Sequence, residues 1–367
     1  MLTPILSILV ISHNQCELLH RCMKSLLSQK IKVPFEIVIS DDRSTDGTWE
    51  AIEQYQSQYQ EPIQNGEYWT PQVVGTKCNS NECNPLNVSE RCGWNKLNVY
   101  LHARGKYCVN IDADDYLKSD DIYQKQIELL DLHPKCSMCM QEVWQINDGE
   151  DIANGLRWPV FGRLDSAEII GPRCFILNQY RAVNPCYMMK RDVVTDLQSV
   201  YGKHFDDTVI TFHHLQQGDC IYLDRADYVW VRYGSSITGT LREDDELVEY
   251  SLLPLHHVYY LPRFSKLFMQ EGLQTLIHFF KVLQKKNFKL ELTDRTILSL
   301  QNTDGYIYKV LLKHKKNVFD KCKLMYIRGV LLITKRFNLH LEKYIYTLLT
   351  NNIRAKMVPN QYWVSYE

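Results

Sequence analysis

The sequence predicts an α/β fold built on a mostly parallel, doubly wound sheet, with a C-terminal α-helical region. Two apolar runs, ILSILVI and FEIVIS, each break into a polar turn and then a helical period. That strand–turn–helix alternation is the signature of a parallel sheet. A third run, YCVNI, ends on Asp112-Ala113-Asp114-Asp115. Beyond residue 238 the patterns are helical and acidic residues thin out, which divides the chain into 1–238 and 239–367.

Ile5–Ile11 reads as a strand, SHNQ as its exit loop and Leu18–Gln29 as a helix. Phe35–Ser40 is a second strand ending on SDDRSTDGT, and a helix follows from Trp49 to Tyr59. Asp46 or Thr45 suits its N-cap, because a side-chain oxygen there accepts the free N–H groups of the first turn. Gln60–Cys92 is polar and aperiodic, rich in Asn, Pro and Gly, and reads as an inserted loop or flap. Asn95–Ala103 is helical, Tyr107–Ile111 is a strand, and a helix over Ser119–Leu132 stops before Pro134. Trp144–Tyr180 is less regular. CYMMKRDVVTDL gives a strand into a helix, HFDDTVITFHHLQQG opens another helix, and DCIYLD and YVWVRY read as two short strands.

The 367 residues carry a formal net charge of −1, which points to no polyanionic partner, and nucleic acid is not expected. PILSILVIS lacks a basic leader and is too short for a membrane span, so it reads as a buried strand. With 12 cysteines and no secretory signal, the thiols are expected to be reduced and cytosolic. Cys136 and Cys139 form a CxxC, but no second pair stands at ligand spacing, so buried free thiols are favoured over zinc.

Three acidic motifs carry chemistry. At the end of a parallel strand, the carboxylates of SDDRSTDGT either accept hydrogen bonds from a ligand or merely cap a helix. In Asp112-Ala113-Asp114-Asp115, extended alternation puts Asp112 and Asp114 on one side and Asp115 elsewhere. Two oxygens on one face suit a hard cation, Mg²⁺ or Mn²⁺, that also coordinates phosphates, against the plainer alternative of a polar strand end with a helix cap. Asp207, in HFDDTV, sits at a helix start, where its ionised form is stabilised; that suits a base accepting an alcohol proton, or a plain cap. His213 and His214 fall among apolar neighbours and read as core or surface histidines rather than ligands.

Taken in order, ILVISHNQCELLHRCMKSLLSQ, FEIVISDDRSTDGT, GKYCVNIDADD, HFDDTVITF and YVWVRYGSSIT resemble the inverting GT-A glycosyltransferases of the family-2 type. The resemblance covers roughly residues 1–240 and is strongest to bacterial enzymes of surface-polysaccharide synthesis, such as lipopolysaccharide O-antigen or capsule. It implies a metal-dependent hexosyltransferase that uses a nucleotide-sugar donor, a UDP-sugar, and a glycan or lipid-linked saccharide acceptor. Ser12 and Asn14 would line the nucleotide pocket, with Asp41 and Asp42 on the uracil and ribose end. Asp112 would lie toward the ribose, Asp114 and Asp112 would hold the metal, and Asp115 would belong to the nucleotide-sugar site. Asn98 falls near the Asn of the family's helix before the DxD. Asp207 matches the general base, with Asp206 where Glu is more usual.

Three departures stand out: His13 in place of Pro, a long 60–92 loop, and Tyr233 where many relatives carry a His. A nucleotidyltransferase would open with a Gly-rich loop after the first strand, where this chain has SHNQCELL. A non-catalytic carbohydrate-binding relative is the other alternative, against which Asp41, Asp112, Asp114 and Asp207 are intact. From Tyr306 to Met357, twelve Lys and Arg residues stand against Asp320 and Glu342. Such helices suit either peripheral contact with an anionic membrane, at the inner face of the plasma membrane, or a solvated basic face.

Overall fold

The computed structural model describes residues 2–78, 88–158, 168–171, 187–191 and 207–234, with isolated positions 244, 282 and 285. The chain divides into two compact units, Met1–Gly239 and Thr240–Glu367. The basic stretch 306–357, expected to be helical, lies outside the described residues, as do Asp206, the SSIT segment and the helix expected after Lys190.

Strands β1 (Leu6–Ser12) and β2 (Phe35–Asp41) are buried on both faces, which is why they read as near-continuous apolar runs. β1 lies between β2 and β6 (Tyr107–Asp112) and is parallel to both, with Ser12 opposite Asp41 and Ile11 opposite Asp112. The three strands therefore end together, and their carboxyl ends form the kind of edge where open parallel sheets bind ligands.

Helix α1 (Cys16–Leu27) buries Leu19, Cys22, Met23 and Leu26, the i, i+3, i+4, i+7 stripe that its sequence spells. Each such large apolar side chain contributes about 1.5–3 kcal/mol on full burial. Helix α2 (Thr48–Gln58) starts after Gly47, whose φ of 91° is left-handed and favours glycine. Gly47, not Asp46 or Thr45, is thus the N-cap, although Asp46 Oδ1 still accepts the Thr48 N–H at 3.1 Å.

The 60–92 stretch is more regular than its composition predicts. Ile63–Asn65 (β3) and Tyr68–Thr70 (β4) form a hairpin, and Gln72–Lys77 (β5) joins β2 as a parallel edge strand. β5 carries only Val73 and Val74 as an apolar signal, and of these it buries Val73 alone. Helix α3 (Val88–His102) begins seven residues before the expected start at Asn95.

Beyond β6 come β7 (Tyr116–Leu117), helix α4 (Ile122–Leu132), β8 (Cys136–Asn147), β9 (Leu156–Trp158), β10 (Glu168–Ile170) and β11 (Tyr187–Lys190). Helix α5 (Asp207–Leu215) and β12 (Asp219–Arg232) follow. The sheet order is β10-β12-β8-β11-β6-β1-β2-β5, with β7 on β12 and β9 on β8. β11 runs antiparallel to both neighbours, so the sheet is mixed rather than wholly parallel. The two short strands expected near residue 220–233 are one strand, β12, with register shifts between Leu223 and Ala226 and between Ala226 and Tyr228.

At the opposite end from the strand tips, Glu36 is fully buried and accepts from Ser7 Oγ at 2.6 Å, from the Arg104 N–H at 2.7 Å and from Arg104 Nε at 2.8 Å. A Cβ on Gly105 would come within 2.6 Å of the Ser7 nitrogen, so only glycine lets the chain enter β6 this close to β1.

Candidate active site

The loop after β1 and the loop after β2 are stitched into one surface. The Asn14 N–H donates to Ser44 Oγ at 2.8 Å, and Asn14 Oδ1 accepts the Thr45 N–H at 2.8 Å. The Gln15 N–H donates to Thr48 Oγ1 at 3.0 Å, and the Cys16 N–H to Asp46 Oδ2 at 3.1 Å. Helix α1 has no side-chain cap of its own, so the second loop supplies it. Asn14 and Arg43 both adopt positive φ, 51° and 57°. This strained turn is held by its partners.

Asp41 and Asp42 sit at the tip of β2, both buried. Asp41 Oδ2 accepts the Ser44 N–H at 3.1 Å, while Oδ1 has no hydrogen-bond partner. Asp42 is fully engaged: Oδ1 accepts from Arg43 Nε at 3.0 Å and Oδ2 from Arg91 Nε at 2.7 Å. His13 Nδ1 lies 2.7 Å from the Asp42 carbonyl. Arg91, on α3, carried no sequence signal, since its partner stands 49 positions away.

The predicted Asn98 supports the sheet: its Nδ2 donates to Ser40 Oγ at 2.8 Å and to Thr76 Oγ1 at 3.3 Å. One turn earlier, Asn95 Nδ2 donates to the Ser12 carbonyl at 3.2 Å, at the strand tip itself. At the strand tips the buried Ser12 Oγ, Asp41 Oδ1 and Asn95 Oδ1 have no hydrogen-bond partner. Each would cost about 1–3 kcal/mol if it stayed unpaired, so these atoms are open to a ligand's polar groups.

The acidic cluster departs from simple alternation. β6 ends at Asp112, the Ala113 N–H donates to the Ile11 carbonyl, and the Asp115 N–H donates back to the Asp112 carbonyl at 3.0 Å. This turn gathers Asp112, Asp114 and Asp115, each with a ligand oxygen within 4.8 Å of the others. Burial pushes the Asp114 carboxyl above its ordinary range, opposed by a backbone hydrogen bond and by Arg21. Burial, then Asp114 and Asp112, push Asp115 well above it. A divalent cation would relieve that crowding, and the all-oxygen donor set fits Mg²⁺ or Mn²⁺. Asp115 also has a second task, since its oxygens accept from the Tyr228 hydroxyl and, at 2.8 Å, from the Val231 N–H. It ties the turn to β12.

Tyr233, just past β12, reaches the same turn. Its hydroxyl accepts from Arg21 Nη2 at 2.7 Å, and the same nitrogen donates to the Asp114 carbonyl. Arg232 lies 6.0 Å from the Trp230 ring centroid.

Asp207 opens α5, with its side chain outside the described residues. The helix is held against the sheet by buried His214, whose Nδ1 lies 2.8 Å from the Ile210 carbonyl and Nε2 3.2 Å from the Lys190 carbonyl. The Ser137 hydroxyl donates to the His214 carbonyl at 2.6 Å. Cys136 and Cys139 are buried in β8. Among the described residues, no helix is long and apolar enough to cross a membrane.

Residues 7–64 match the glycosyl transferase family 2 domain. An uncharacterized protein of Mycobacterium tuberculosis is 29% identical over 140 residues, 38% of this chain and 35% of that protein. The chondroitin synthase of Pasteurella multocida is 29% identical over 163 residues, 44% of this chain and 14% of the synthase. The aligned stretch therefore spans well under half of either relative. The crystal structure of S. aureus TarS in complex with UDP superposes with a TM-score of 0.55 at 16% identity, covering 95% of this chain and 91% of that one. At that identity the likeness is one of fold, an α/β GT-A arrangement on a mostly parallel sheet.

Proposed function

We propose that the chain is a glycosyltransferase that moves a sugar from a nucleotide-diphosphate donor, a UDP-sugar, to an acceptor hydroxyl with inversion. The observation that carries this is the meeting of Ser12, Asp41 and Asp112 at one set of strand ends, beside three gathered carboxylates. The match of residues 7–64 to glycosyl transferase family 2 supports the reaction class. The UDP complex of the structural neighbour TarS supports the choice of donor.

In this reading Ser12, Asn14 and Asp41 receive the nucleoside, with the free Asp41 Oδ1 as acceptor for its N–H or hydroxyl groups. Asp42 shapes that end of the pocket through Arg43 and Arg91, and Asn98 supports it from α3. Asp112 and Asp114, with Asp115 behind them, would hold Mn²⁺ or Mg²⁺. Such an ion offsets the charge that grows on a departing diphosphate. Asp207 takes the proton from the acceptor hydroxyl, which attacks the anomeric carbon from the opposite face. One displacement inverts that centre. The acceptor we assign is a glycan or lipid-linked saccharide of bacterial surface-polysaccharide synthesis, met in the cytoplasm at an anionic membrane face. The basic residues of 306–357 would serve that contact.

Calorimetric titration of UDP, GDP and CMP, each with and without Mn²⁺, into the wild type and Asp114→Ala tests the site. Metal-dependent binding of UDP that is lost in the variant is the expected result. Binding of no nucleotide would overturn the reading. Asp207→Asn should abolish sugar transfer while leaving donor affinity unchanged.

A further inference from the structure

Arg21 lies on α1, far in sequence from every acidic motif, yet its guanidinium sits inside the candidate site. Nη2 donates both to the Asp114 carbonyl and to the Tyr233 hydroxyl, and the guanidinium carbon is 4.9 Å from the Tyr116 ring centroid. The contacts join three chain segments: α1, the turn that carries the three carboxylates, and the residue after β12. Among the described residues no ion pair neutralises this cation, and its buried Nε has no partner. A neutral side chain would make a purely mechanical tie at lower desolvation cost. The charge itself is what distinguishes arginine here, because three carboxylates stand on the adjoining turn.

We propose that Arg21 is a positioning residue for the acidic turn. It fixes the Asp114 backbone against Tyr233, thereby aims the Asp114 carboxylate, and sets the geometry in which Asp112 and Asp114 take up a divalent cation. The proposal rests on the reading of that turn as a cation and diphosphate site. It adds a residue that touches neither ion nor donor and acts through the ligand's own backbone, as outer partners of metal ligands do. Tyr233 is the other half of the device, since its hydroxyl shares the nitrogen that holds the turn.

The test is calorimetric titration of Mn²⁺ alone, and of UDP at a series of Mn²⁺ concentrations, into the full chain of wild type, Arg21→Met, Arg21→Lys and Tyr233→Phe. Thermal melts of each protein run alongside. Arg21→Met is expected to weaken Mn²⁺ binding by about 10–100-fold, the range for losing an outer partner of a metal ligand. UDP affinity at saturating Mn²⁺ should then return close to the wild-type value. Arg21→Lys keeps the charge but not the fork and should recover part of the loss, and Tyr233→Phe should shift the Mn²⁺ requirement less than Arg21→Met. If Arg21→Met fails to fold, Arg21→Lys and Tyr233→Phe carry the same readout. A fall in melting temperature with an unchanged Mn²⁺ requirement would overturn the proposal and leave Arg21 a structural residue. Failure of the wild type to bind UDP at any Mn²⁺ concentration would instead overturn the reading of the site on which it rests.

Discussion

Glu36 and Arg104 form a closed pair at the amino ends of the parallel strands, the carboxylate fully buried and the guanidinium side chain 39% exposed. The pair lies at the far end of β2 from Asp41, so its removal should act on stability and leave ligand binding alone. Glu36→Ala is expected to cost about 3 kcal/mol, near the low end for breaking a buried ion pair, because the released Arg104 can hydrate. Urea denaturation measures the loss. Unchanged nucleotide affinity in the folded fraction would separate this end of the sheet from the site.

The Tyr228 hydroxyl donates to a buried carboxylate, Asp115, that also holds the Val231 N–H. Tyr228→Phe removes one charge-assisted hydrogen bond with almost no change of volume and should cost about 1.5–3 kcal/mol. Because β12 is then less firmly tied to the acidic turn, Mn²⁺ binding should weaken in parallel. Calorimetry and denaturation on one preparation would show both effects.

From just before the Gly47 cap, Asp46 accepts from the Thr48 N–H and hydroxyl at the start of α2 and from the Cys16 N–H at the start of α1. Asp46→Ala should therefore exceed an ordinary cap loss, which is about 1 kcal/mol, and approach twice that value. Asp46→Asn keeps an acceptor and should recover most of it. Equilibrium denaturation of the two variants checks the difference.

Hydrogen bonds from Arg225 hold the Asp121 carboxyl below its usual range, with burial opposing. A carboxyl lowered in the folded state stabilises the fold above its unfolded pKa and loses that contribution as pH falls through the folded one. Asp121→Asn should flatten the acid side of the stability profile below about pH 4. At pH 7, where the contribution is fully present, the substitution should cost about 0.2–1 kcal/mol, the range for an exposed pair, and the difference from wild type should vanish in acid. Melting temperatures measured between pH 3 and pH 7 (roughly the span in which carboxylates titrate) test the sign.

The parts legible in the sequence are those whose signal is local. β1, β2 and the strand ending at Ile111 read as near-continuous apolar runs because both faces are covered, and the crowding of Asp112, Asp114 and Asp115 is plain in one line. β8 is harder to see, because its buried polar Ser137, Gln141 (through Oε1) and Glu142 bond to partners distant in the chain. Glu142, for example, accepts from Arg157 and from Tyr222, 80 positions on. Alternation placed Asp115 away from its neighbours, but a turn at the strand end reverses the chain and brings it in. Arg21, Arg91 and Asn95 left no local trace. Nothing in a helical period separates a solvated arginine from one that reaches a strand tip.

The borrowed cap of α1 bears on the order of folding. The amides of its N-cap Gln15 and its first residue Cys16 donate to the Thr48 and Asp46 side chains, some thirty residues later in the chain. The first helix cannot settle its start until β2 has paired with β1 and turned. The two loops at the strand tips should then consolidate in one cooperative step, within the folding nucleus rather than after it. In kinetic terms, substitutions at Asp46 or Thr48 should slow refolding more than they hasten unfolding.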